Sequence, residues 1–76
     1  MNSNKLTKAE EEFYFCQYGV GGGFMTNLFN TIMKADINNQ AKLSLGFPEE
    51  VRVVQRYQLE EGYWEGIQKA MNTTNT

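Results

Sequence analysis

The groups best suited to chemistry in these 76 residues are two arginines, several tyrosines and a run of glycines. Arg52 and Arg56 are the only arginines, and they stand four apart, about one helical turn. Surface pairing accounts for them in one way, Arg52 with Glu49 and Arg56 with Glu60. Phosphate binding accounts for them in another, because planar guanidinium groups grip phosphates and stack on flat rings. Tyr14, Tyr18 and Tyr63 offer rings on which a nucleobase stacks. The same rings suit a protein interface, where aromatics anchor contacts. Gly21, Gly22 and Gly23 directly precede a strongly patterned segment. Three readings fit them: a tight helix–helix turn, free N–H groups that hold an anion at a helix start, or close approach to a second copy of the chain. The candidate ligand-binding set is therefore Tyr14, Tyr18, Gly21, Gly22, Gly23, Arg52, Arg56 and Tyr63.

The missing residue types exclude much. There is no histidine, so neither a Ser-His-Asp nor a Cys-His nucleophile can be assembled. Cys16 is the only cysteine, which rules out an internal disulfide and a zinc site; it reads as a small buried apolar residue. The run "GVGGGF" lacks the Gly-Lys-Ser/Thr ending of a Walker A loop and the third glycine of a dinucleotide-binding turn. Glu10 to Glu12, Glu49 with Glu50, and Glu60 with Glu61 read as solvated helix faces rather than acid–base pairs. The expectation is a protein with no catalysis, no metal and no cofactor.

The net charge is −2 with scattered basic residues, which gives no footprint for polymeric nucleic acid. No apolar run approaches the roughly 20 residues of a membrane span, and the opening "MNSNKLTKAEEEF" has no apolar leader. With one cysteine, these features predict a cytoplasmic protein.

The elements that position these groups read as helices. Thr7-Lys8-Ala9-Glu10 is a capping box, and it predicts a first helix over about 8–18 that ends at Gly19. Phe13, Cys16 and Val20 fall on one side of it, Tyr14 and Tyr18 beside them, and Phe15 nearly opposite. Met25, Leu28, Phe29, Ile32 and Met33 follow the amphipathic template and predict a second helix from Gly23 or Phe24 to about Ala35. Asp36 then caps a further helical stretch through Ile37, Ala41 and Leu45, closed by Gly46. Pro48, favoured in a first turn, opens the last helix. Val53, Tyr57, Glu60, Trp64, Ile67 and Met71 alternate steps of four and three, which predicts one long helix to about residue 71. The rival is a break at Gly62.

The fold class is thus all-α: a single domain over 1–76, a bundle of three to four helices with a long C-terminal helix across the first two, and flexible ends at 1–6 and 72–76. The expected core is Phe13, Cys16, Leu28, Phe29, Ile32, Val54, Trp64 and Ile67. A domain this small rarely nets more than roughly 3–5 kcal/mol without a staple. The four glycines at 19 and 21–23 cost about 2–4 kcal/mol relative to alanine. With disulfide and metal excluded, oligomerisation is the remaining staple, most simply a two-fold homodimer. Aromatics at 14, 18, 24, 57, 63 and 64 exceed what the core can hold and suit such an interface.

The capped helix, the glycine-rich turn and the ending "GFPEEVRVVQRYQLEEGYWEGI" resemble small accessory proteins encoded by bacteriophages. The resemblance is one of size, layout and tail phrasing over most of the chain. It implies a role against host defence. One such group sequesters cyclic-nucleotide alarm signals as sponges against the CBASS system; others bind a host protein and block it. Under the sponge reading the ligand is a cyclic dinucleotide released unchanged. Gly21 to Gly23 meet phosphate or base edge, Arg52 or Arg56 neutralises charge, and Tyr14, Tyr18 or Tyr63 stacks. Under the inhibitor reading, Tyr57, Tyr63 and Trp64 form an exposed patch for a host protein.

Overall fold

A computed structural model describes residues 6–74. Among these there are five helices and no strands: α1 Lys8–Gln17, α2 Gly23–Lys34, α3 Ile37–Ser44, α4 Pro48–Leu59 and α5 Tyr63–Thr74. The all-α class stands. The long C-terminal helix does not, and the count rises to five. Of the expected flexible ends at 1–6 and 72–76, residues 1–5 and 75–76 lie outside the described residues, while α5 runs on through Thr74.

The local signals explain where helices start and stop. The Thr7 hydroxyl accepts from the Glu10 N–H at 3.1 Å, and Glu10 Oε1 accepts from the Thr7 N–H at 2.8 Å, so the capping box is complete. At the other end of α1, Gly19 takes φ +78°. The Val20 N–H reaches the Phe15 carbonyl at 3.0 Å and the Gly19 N–H reaches Cys16 at 3.1 Å, the pattern of a left-handed glycine stop. Asp36 caps α3 through the Asn39 N–H at 2.8 Å. Pro48 occupies the first turn of α4.

The break between α4 and α5 rests on Gly62, whose φ is +88°. That left-handed step is disfavoured for any residue with a Cβ, by about 1–2 kcal/mol. A continuous helix over 48–71 would be about 36 Å long and would carry Trp64 away from α1. The turn instead folds α5 back onto α1 and α4. The alternating spacing of 53 to 71 was compatible with either arrangement, because burial across a turn can also place those residues inward.

Phe13 is the hub of the core. It is wholly buried, and its ring meets Phe29 of α2 at 5.1 Å, Tyr57 of α4 at 5.0 Å and Trp64 of α5 at 5.7 Å, all edge to face. Leu28, Phe29, Ile32, Val54 and Ile67 are buried as expected, joined by Val51 and Val53. Cys16 and Trp64 are only half-buried at the margin of this cluster.

α3 turns Gln40 and Leu43 inward rather than the expected Ile37, Ala41 and Leu45. Gln40 is buried, while Ile37 and Leu45 are 78% and 87% exposed. The reason is the end of α2, whose last carbonyls need donors. Gln40 Nε2 donates to the Ile32 carbonyl at 3.0 Å, and Gln58 Nε2 donates to that of Met33 at 3.3 Å. Gln55 Nε2 in turn donates to Gln40 Oε1 at 3.2 Å. A glutamine network, beside Leu43 packed against the core, joins α2, α3 and α4 here.

Candidate functional site

The residues singled out in the sequence fall into separate places. Arg56 lies near the start of α1. Its Nε and Nη2 both donate to Glu60, at 2.9 and 3.0 Å, and its Nη1 lies 3.8 Å from Glu10 Oε2. Its guanidinium carbon sits 4.3 Å from the centre of the Tyr63 ring. The Tyr63 hydroxyl donates to the same Glu10 oxygen at 2.7 Å. The hydrogen bond to Glu60 holds Arg56 above its ordinary range, and that bond holds the Glu60 carboxyl below its own. Burial pushes the Tyr63 hydroxyl well above the usual phenol range, and the Glu10 carboxylate it bonds pushes it further.

An open depression of about 370 Å³ lies over this cluster, and Glu10, Glu60 and Glu61 are among its lining residues. Three carboxylates against one guanidinium repel phosphate. The sequence pairing of Arg56 with Glu60 is present; no ion pair of Arg52 with Glu49 occurs among the described residues. Arg52 stands exposed on α4, one turn away.

Tyr14 and Tyr18 are brought together at the far end of α1. Their rings lie 4.9 Å apart, and Trp64 joins them at 6.0 and 6.3 Å, with the Tyr18 and Trp64 planes within 30° of parallel. Gln68 Nε2 donates to the Tyr18 hydroxyl at 2.9 Å. Glu10 and Tyr18 are separated by about 12 Å of helix rise, so the rings do not share a site with Arg56 and Tyr63.

The glycine run divides in function. Gly21 packs against α1: a Cβ there would lie 2.5 Å from Cys16 Sγ and 3.0 Å from the Cys16 backbone. That glycine is a packing requirement. Gly22 caps α2 without a side-chain hydrogen bond and Gly23 opens it; neither has an atom within 4 Å of where a Cβ would stand.

The exposed patch expected at Tyr57, Tyr63 and Trp64 is not there. Tyr57 and Trp64 pack on Phe13 and Tyr63 on Glu10, and all three are half-buried. Besides Ile37, Leu45 and Leu59, the large apolar side chains that face outward are Phe15, Tyr18, Val20 and Phe24, and these four flank the glycine run. Val20 and Phe24 are 71% and 66% exposed. The N–H groups of both Tyr18 and Val20 converge on the Phe15 carbonyl, which fixes the backbone of this stretch. Phe24 leans on Phe47 at 6.1 Å. Val20 escapes the helical spacing because α1 has already stopped at Gly19. Two sequence signals point to this edge: Phe15 opposite Phe13 on α1, and Tyr18 and Phe24 among the aromatics in excess of the core.

Among the described residues no group of three or more metal-ligating side chains is present, and no helix is long and apolar enough to cross a membrane. Compared with known proteins, the chain matches no family model, no curated relative and no solved structure.

Proposed function

We propose that this chain acts without catalysis, by docking a partner protein on the edge formed by Phe15, Tyr18, Val20 and Phe24. The observation that carries this reading is the exposure of four large apolar side chains around one turn. Isolated exposed apolar residues are ordinary, but four around one turn, three of them aromatic, have the composition of an interface hot spot. The half-buried Tyr14 and Trp64 back the edge and hold Tyr18 in place. The left-handed stop at Gly19 and the close packing of Gly21 fix the turn, so the edge is ordered before a partner arrives. Preorganisation of that kind lowers the entropic cost of binding. The resemblance to phage accessory proteins suggests a bacterial host protein as the partner. Affinity capture from a bacterial lysate, with an edge variant alongside, tests this.

The second reading is the cyclic-dinucleotide sponge, favoured by one observation: the Tyr18 and Trp64 rings lie close to parallel, and α2 starts without a side-chain cap a few residues after Tyr18. In this reading the cation has to come from a second copy, since Arg56 is held by Glu60 and Glu10. The exposed Arg52 of a two-fold homodimer meets that need. Thermal-shift measurement against a panel of cyclic dinucleotides decides it. Stabilisation of about 2.7 kcal/mol at one hundred times the dissociation constant, lost in Arg52→Ala, supports the sponge; an unmoved melting point removes it.

A further inference from the structure

Three open depressions of similar size on the described surface differ in their chemistry. The one beside Arg56 is lined by Glu10, Glu60 and Glu61. A second, of about 390 Å³ between the starts of α1 and α4, is lined by Glu12, Glu49 and Glu50 with Lys8 as its one cation. The third, of about 460 Å³, lies between the end of α2 and α3. Its lining is Thr31, Lys34, Ala35, Asn39, Lys42 and Leu43, with no carboxylate.

We infer that this α2–α3 groove binds a small organic phosphate, with its anionic group between Lys34 and Lys42 and its apolar or ring portion on Ala35 and Leu43. Four of the six lining side chains are hydrogen-bond donors: two ammonium groups, a hydroxyl and an amide. Neither lysine has an ion-pair partner among the described residues. The one acid between Glu12 and Glu49 is Asp36. It lies outside the lining, and its carboxylate accepts the Asn39 N–H as the cap of α3. The chain is acidic overall, at −2, so a groove with two unopposed cations stands out against its surroundings. Its volume is in the range of small-molecule sites. The site is independent of the protein-docking edge, which lies at the opposite end of α2.

The test is a two-dimensional amide NMR titration of the full chain at low salt with adenosine monophosphate, inorganic phosphate and adenosine. The expected result is that the monophosphate shifts the amides of Thr31, Lys34, Ala35, Asn39, Lys42 and Leu43. Inorganic phosphate shifts the same set at higher concentration, and adenosine alone leaves them in place. The double variant Lys34→Ala/Lys42→Ala binds at least tenfold more weakly, while Lys34→Arg/Lys42→Arg, which keeps both charges, retains binding. The inference is overturned if shifts of equal size appear at Lys8 and Lys69, if adenosine acts as strongly as its monophosphate, or if the alanine double variant binds within twofold of the parent.

Discussion

The Tyr63 hydroxyl donates a 2.7 Å hydrogen bond to Glu10, fifty-three positions earlier in the chain. The other oxygen of that carboxylate closes the capping box with the Thr7 N–H. One side chain therefore both starts α1 and ties α5 to it. Tyr63→Phe keeps the ring over Arg56 and removes only the hydroxyl. A hydrogen bond to a charged group contributes roughly 1.5–3 kcal/mol, and partial exposure places this one toward the lower end. Urea denaturation should show a fall in stability of about 1–2 kcal/mol; an unchanged midpoint would contradict the tie.

Tyr63 also sets an alkaline limit. Its folded pKa lies above the ordinary 10.0. The stability it contributes is fully present below pH 10 and is lost as the pH rises from there toward the folded value. The melting temperature of the parent should therefore drop more steeply above pH 10 than that of Tyr63→Phe. Parallel curves for the two proteins would remove this account. At the acid end, the pairing of Glu60 with Arg56 works in the other direction. Its contribution is present above the ordinary carboxylate range and fades as the pH falls through the lowered folded value.

Gly21 and Gly23 differ although they stand two residues apart. At Gly21 a methyl group meets Cys16, including backbone atoms that cannot swing aside. Gly21→Ala should destabilise by about 1–3 kcal/mol, as overpacking does. Gly23→Ala enters open space at an ordinary backbone angle and should stabilise by about 0.4–1 kcal/mol through the unfolded chain. Thermal melts of both variants check this, and equal effects would refute the division.

Gln40→Leu tests the inward glutamine of α3. The substitution adds apolar surface at a buried position, yet it leaves the Gln55 amide without its acceptor and removes a donor from the Ile32 carbonyl. The expected cost is about 1–3 kcal/mol in denaturant titration. A more stable leucine variant would show the glutamine network to be dispensable.

The sequence made legible what short-range chemistry controls. Thr7 with Glu10, Gly19, Asp36 and Pro48 mark helix ends through contacts within a few residues, and the structure keeps all four. The spacing of Leu28, Phe29 and Ile32 put the right face of α2 inward. What stayed hidden depended on distant partners. Gln40 is inward because α2 ends at its side, which no spacing within α3 records. Arg56 is claimed by Glu10, forty-six positions away, as well as by its neighbour Glu60. The candidate set read from residue types therefore separated, and the exposed edge emerged from where α1 stops rather than from periodicity.

The central claim is that Phe15, Tyr18, Val20 and Phe24 form the docking edge. The most direct measurement is quantitative mass spectrometry of proteins captured from a bacterial lysate by the parent and by Tyr18→Ser/Val20→Ser/Phe24→Ser. These positions are exposed, though Tyr18 and Phe24 also give up ring contacts with Trp64 and Phe47, so circular dichroism and a thermal melt verify that the variant stays folded. The account predicts one protein held near stoichiometrically by the parent, lost from the edge variant and retained by Lys34→Ala/Lys42→Ala. A partner held equally by the edge variant, or no stoichiometric partner at all, would contradict it.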